Sequence, residues 1–242
     1  MKVANPADLT LLNNAIWYAL STEQSHLAEG NHLAKRFPRD ISPFGAIKTQ
    51  SPTGYEALGR LISGDTIALS FDSKTALPPD WTTRVSLDIY QMTFEGPPPA
   101  KSNQVMRKLT HADVPEMLAL TKLTDPGPFL PRTIDLGAYY GIHDSGSLVA
   151  LAGERLHLTG FTEVSAVCTH PAYRGRGYGN TLMSKVISGI LDRGETAFLH
   201  VKTDNPAIAL YRKLGFQIRA QLHLAVIQQT VLPQTKSMRK PY

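Results

Sequence analysis

The run Arg174-Gly175-Arg176-Gly177-Tyr178-Gly179 limits the possible folds more than any other stretch of the chain. Before it, "TEVSAVCTH" alternates apolar and polar residues like a strand; after it, "TLMSKVISGIL" spaces its apolar residues like a helix. Glycine at every second position keeps Cβ atoms away from the backbone where strand turns into helix. Consecutive N–H groups can then close around an anion, and the helix adds the positive end of its dipole. With Arg174 and Arg176 supplying charge, the loop predicts a phosphate or pyrophosphate ligand; a surface turn that binds nothing is the alternative. The Gly-Lys-Ser/Thr ending of a P-loop is missing, and the spacing is not G-x-G-x-x-G.

The clearest break lies upstream, in "FEGPPPAKSN" (94–103), where three consecutive prolines fit neither a helix nor a central strand. It predicts two parts, a smaller α/β domain over residues 1–98 and a second domain over 104–242. In the first part the spacing predicts helices over 9–20, 22–35 and 55–62, then strands at "DTIALSF" and "VSLDIYQMTF". No catalytic motif is visible there. The second part reads as a strand at "VMRKL", a helix capped by Thr110, a hairpin turning at Asp144-Ser145-Gly146-Ser147, and the strand, loop and helix above. "TAFLHV", a helix over 206–214 and "GFQIRAQLHLAVIQQ" complete a mixed sheet with helices on both faces.

Composition excludes several classes. One cysteine, Cys168, rules out a disulfide framework and favours a reducing compartment, the cytoplasm. No apolar run reaches the roughly 18 residues of a membrane helix, so no membrane contact is expected. The net charge of +5 suits an anionic ligand, but the basic residues are scattered, the basic tail "KSMRKPY" reads as a frayed terminus, and nucleic acid is not expected. His157, His170, His200 and His223 lack metal-ligand spacing, so no metal is expected.

Arg174 to Gly179 fits the pattern Q/R-x-x-G-x-G/A and resembles the pyrophosphate loop of the GNAT superfamily of N-acetyltransferases. "VKTDNPAIALYRKLGF" (201–216) resembles that family's second motif, an asparagine on a loop followed by a helix ending Tyr-x-x-x-Gly-Phe. The resemblance covers residues 104–228. It implies a mostly antiparallel central sheet flanked by helices, acetyl-CoA as cosubstrate, and direct transfer to a primary amine. It further implies that the N–H groups of Arg174, Gly175, Arg176, Gly177, Tyr178 and Gly179 hold the pyrophosphate. Val167, Cys168 and Thr169 would pair with the pantetheine arm, the Val167 N–H polarising the thioester carbonyl. Asn205 would contact the same arm, a simple N-cap being the alternative, and Tyr211 would act as general acid for the thiolate, a core aromatic being the alternative. Glu163 is the preferred general base, directly or through a water; a hydrogen-bonded structural glutamate is its alternative.

The expected acceptor is a small-molecule amine, with a protein amine or a non-catalytic acyl-CoA-binding module as other readings, in a monomer or homodimer. The first part reads as a degenerate copy of the same fold or as a separate cap, and its apolar content predicts that it packs against the second part and helps shape the acceptor pocket. "TDPGPFLPRTIDLG" (124–137) falls where the family has its acceptor loop, and Arg132 is a candidate for an acidic group on the acceptor, a stabilising surface arginine being the alternative. Cys168, facing away from Val167 and Thr169 in an alternating strand, reads as a buried thiol rather than a nucleophile.

Overall fold

The structure is a computed structural model that describes residues 8–72, 76–100 and 102–230; the basic tail lies outside them. A 3-10 turn at Leu9–Asn14 runs into helix α1 (Ala15–Ala19). Short strands β1 (Glu29–Gly30), β2 (Ala34–Arg36) and β3 (Gly45–Ile47) follow, then α2 (Pro52–Ile62), β4 (Thr66–Phe71) and β5 (Trp81–Phe94). After β6 (Arg107–Lys108) come α3 (Val114–Thr124), β7 (Tyr139–Asp144), β8 (Ser147–Leu158) and β9 (Phe161–Thr169). The chain ends in α4 (Tyr178–Asp192), β10 (Thr196–Lys202), α5 (Ile208–Leu214) and β11 (Phe216–Gln229).

Eight strands form one sheet in the order β4-β11-β5-β10-β9-β8-β7-β6, antiparallel except between β9 and β10. This is the mixed, mostly antiparallel sheet that the sequence predicts. The prolines after β5 do not divide the sheet. Strand β5, from the first part, lies between β10 and β11, and β4 pairs along the outer side of β11. Strands β4 and β5 of the first part therefore belong to the sheet of the second part, while β1, β2 and β3 form a separate three-stranded sheet in that order.

Local chemistry accounts for the element ends. Ser51 caps α2, Thr110 and Asp113 form a capping box ahead of α3, and Ser145 and Gly146, both at positive φ, make the two-residue turn between β7 and β8. The helix expected over 22–35 does not form. Asn31 accepts from the N–H groups of Leu33 and Ala34 through its side chain, and Gly30 sits at φ 117°, so turn chemistry turns the chain into the β1–β2 pair.

One face of the sheet packs Leu182, Met183, Val186 and Ile187 of α4 with Tyr211 of α5 against Ala197 and Leu199. The opposite face packs α1 against Leu156, Phe161 and Phe198, and α3 against Leu151 and Cys168. Among the described residues no helix is long and apolar enough to cross a membrane.

Candidate active site

Strands β9 and β10 pair only from Phe161↔Thr196 to Glu163↔Phe198. Beyond that point each follows a different neighbour: β9 stays on β8 as far as Thr169, and β10 stays on β5 as far as Lys202. A bulge adds to the separation. Between the pairs Leu151↔Cys168 and Gly153↔Ser165, β9 carries one more residue than β8, and there Ala166 adopts φ 53°. A left-handed alanine costs about 1 kcal/mol or more. Where the strands part lies a cavity of about 590 Å³, walled by residues 164–167 of β9 and 199–202 of β10.

On the α4–α5 side the cavity brings together three residues expected from the sequence, Val167, Asn205 and Tyr211. Tyr211 is buried, with its ring edge-on to Phe216 at 6.3 Å. Among the described residues its hydroxyl has no partner, and burial pushes its pKa up to about 12, so it is protonated at neutral pH. The Asn205 side chain accepts from the N–H of Ala207 at 2.8 Å, so it caps the turn into α5 while lining the cavity.

The glycine loop continues from the end of β9. Residues 174–177 are exposed, Gly175 and Gly177 both sit at φ 79°, and Gly177 is the N-cap residue of the 15-residue helix α4. A Cβ built at either glycine meets nothing within 4 Å, so the N-terminus of α4 faces open ground. Arg174 Nε donates to the Thr169 carbonyl at 3.4 Å, and Arg176 stacks on Tyr173 at 4.6 Å. Both cations are thus kept beside the open helix end.

On the opposite side a buried polar ladder crosses five adjacent strands. Arg155 of β8 grips Glu163 of β9 through Nε at 2.8 Å and Nη2 at 2.5 Å. Glu163 also meets His200 Nδ1 of β10 at 2.7 Å. His200 Nε2 lies 3.0 Å from Gln91 Nε2 of β5, and Gln91 Oε1 accepts from Arg219 Nη1 of β11 at 2.7 Å. Because the Gln91 oxygen is taken by Arg219, its amide nitrogen donates to His200 and to the Leu12 carbonyl. The His200 ring thus joins Glu163 to Gln91 across β10.

This ladder favours the alternative reading of Glu163, a hydrogen-bonded structural glutamate. The residue is fully buried and is not part of the cavity wall. Burial pushes its carboxyl up, but attraction to Arg155 and the hydrogen bonds from Arg155 and His200 outweigh that and hold it at about 2. A carboxylate so held is a poor proton acceptor near neutrality. Glu163 fixes Arg155 and His200, both of which do line the cavity. Cys168 packs under α3 with its thiol raised to about 11 by burial, and it is absent from the cavity wall. Arg132 is bound to Asp135 and Asp40 and is absent from the cavity wall, although residues 124–128 of the same loop stand at the cavity's edge.

The sequence reading missed Arg155 and the particular residues that the first part places on the cavity. Phe44 and three β5 residues, Val85, Leu87 and Ile89, form an apolar wall facing the gap. Arg155 stacks on Phe44 at 4.9 Å. A charge at a buried position in the apolar strand "LVALAGERLHL" was the available signal for Arg155. The wall has no local signal, since it depends on long-range strand pairing.

Comparison with known proteins identifies the fold and the family. The FR47-like protein family matches residues 139–224, from β7 into β11. An uncharacterised protein of Mycobacterium leprae is 30% identical over 196 residues, 74% of this chain and 54% of its own. N-alpha-acetyltransferase RimI of Mycobacterium tuberculosis is 42% identical over 83 residues, 33% of this chain and 51% of its own. The chain thus spans about half the length of these curated relatives. The crystal structure of a GNAT-family protein from Novosphingobium aromaticivorans is 35% identical and superposes with a TM-score of 0.84, over 90% of this chain and 98% of that one. With that likeness over nearly the whole of a family member, the chain belongs to the GNAT family of acetyltransferases.

Proposed function

We propose that the chain transfers the acetyl group of acetyl-CoA to a primary amine by direct attack. The observation that carries this reading is the cavity at the parting of β9 and β10, lined by Tyr211 from one face of the sheet and by Arg155 from the other. The open N-terminus of α4, with two glycines whose missing Cβ atoms leave it clear and two arginines beside it, suits a pyrophosphate. The free edge of β9 at 167–169 suits the amides of the pantetheine arm, with the thioester carbonyl held at the Val167 N–H.

In this scheme the donor enters from the α4–α5 side and the amine from the Arg155 side. The amine nitrogen attacks the thioester carbonyl carbon, the C–S bond breaks, and the Tyr211 phenol donates to the departing sulfur. The nitrogen loses its proton to water at the cavity mouth. Among the described residues the one carboxylate in the cavity wall is Asp125, exposed at its edge. The sequence favours a small amine; the relative named N-alpha-acetyltransferase favours an α-amino group. Calorimetry with acetyl-CoA, followed by assay of CoA release across an amine panel, tests the reading. Failure to bind acetyl-CoA would refute it.

A further inference from the structure

Building on the acetyl-transfer reading above, we propose that the acceptor is the amino terminus of a peptide beginning with an apolar residue, its first side chain against the first part's apolar wall and its first carbonyl oxygen on Arg155. Glu163 occupies Nε and Nη2 of Arg155, which leaves Nη1 with two N–H groups and, among the described residues, no partner. The charges of Arg155 and Glu163 cancel. A carbonyl oxygen can accept from Nη1 without adding charge, whereas the carboxylate of a free amino acid would bring a second anion close to Glu163. Lys202 also lines the cavity but is exposed, so solvent screens its charge.

The wall selects the first side chain. Phe44, Val85, Leu87, Ile89, Leu224 and Val226 present apolar surface, and none of these six can pair a charge on the first side chain. Val85 is 46% exposed, so the cavity opens outward along β5 and gives the rest of a peptide an exit.

The proton balance agrees. With no carboxylate base in the interior, the amine must arrive partly unprotonated. An α-amine with pKa about 8 is unprotonated near neutrality in a fraction some 10²-fold larger than a lysine amine with pKa about 10.4. The reaction then converts free amine and thioester into amide and thiol, the nitrogen's proton leaving to water and the phenol being reprotonated from water.

The test uses the full chain near neutral pH, with CoA release measured for Leu-Gly-Gly, Glu-Gly-Gly, free leucine and the side-chain amine of N-acetyl-lysine amide. The expected kcat/KM for Leu-Gly-Gly exceeds that for Glu-Gly-Gly and leucine by about tenfold or more, and that for the lysine amine by about 100-fold. Equal or better turnover of leucine or the lysine amine would overturn the proposal, as would acetyl-CoA binding without turnover of Leu-Gly-Gly. Absence of acetyl-CoA binding would instead overturn the transfer reading beneath it. Arg155→Met combined with Glu163→Gln removes both charges and leaves neither buried alone. In that variant KM for Leu-Gly-Gly should rise about tenfold while acetyl-CoA affinity holds. An unchanged KM in the folded protein would remove Arg155 from acceptor binding.

Discussion

Tyr211→Phe separates chemistry from folding with unusual clarity in this structure. The ring stays, so its edge-on contact with Phe216 and its packing against the core under α4 are kept. The hydroxyl has no protein partner among the described residues, so its removal leaves no orphaned donor or acceptor. The stability change should stay within about 0.5 kcal/mol, a Tm shift of about 2 °C at most for a chain of this length. Acetyl-CoA affinity should also hold. The leaving thiolate, however, loses its donor. Proton donation in the transition state is worth about 10² to 10⁴ in rate, or about 3 to 5 kcal/mol of barrier. With the phenol near 12 and a free thiol near 8.5, complete transfer to sulfur is uphill, and donation through a hydrogen bond puts the effect toward the lower end. The assay is single-turnover CoA release with saturating peptide, alongside calorimetry and thermal melts. Wild-type turnover in the folded variant would refute the acid role; a large Tm loss would mean that the hydroxyl is structural.

Three further outcomes follow from the same geometry. Gly177→Val places a β-branched residue at φ 79°, so acetyl-CoA binding should weaken at least tenfold with a folding cost of about 1–2 kcal/mol; unchanged affinity by calorimetry would remove the loop from the donor site. A chain lacking residues 1–98 loses β5 from between β10 and β11, so it should be insoluble or unfolded by circular dichroism; a folded, active truncation would contradict the shared sheet. The Glu163 carboxyl lies below its ordinary 4.5, at about 2, so its ion pairs contribute fully above about pH 4.5 and are lost as pH falls toward 2. Over that window the melting temperature of wild type should fall more steeply than that of Glu163→Gln; parallel curves would show that the ladder does not carry this charge.

Local chemistry made some of the site legible in the sequence. The glycine loop, Asn205 and Tyr211 depend on residues close in sequence, where strand, turn and helix signals follow one another, and the structure puts Val167, Asn205 and Tyr211 on one cavity. The ladder is different. Arg155 and Glu163 lie eight residues apart but meet only because β8 and β9 form a hairpin, and Gln91 reaches His200 across 109 residues. Alternation marks β5 as a strand but says nothing about its neighbours, so its insertion between β10 and β11 and the apolar wall it builds were invisible. A run of three prolines stops a strand, whatever sheet that strand belongs to. The bulge at Ala166 had no sign at all, since alanine rarely adopts a positive φ and here does so in a strand.

The central claim is acetyl transfer at the gap between β9 and β10. Its most direct test is mass spectrometry of Leu-Gly-Gly incubated with acetyl-CoA and the full-length protein, with CoA release followed in parallel. One acetyl group should appear on the peptide's α-nitrogen for each CoA released, and both signals should drop together in Tyr211→Phe. Acetyl-CoA bound tightly by the protein, with no acetylated product from any amine tested, would contradict the claim.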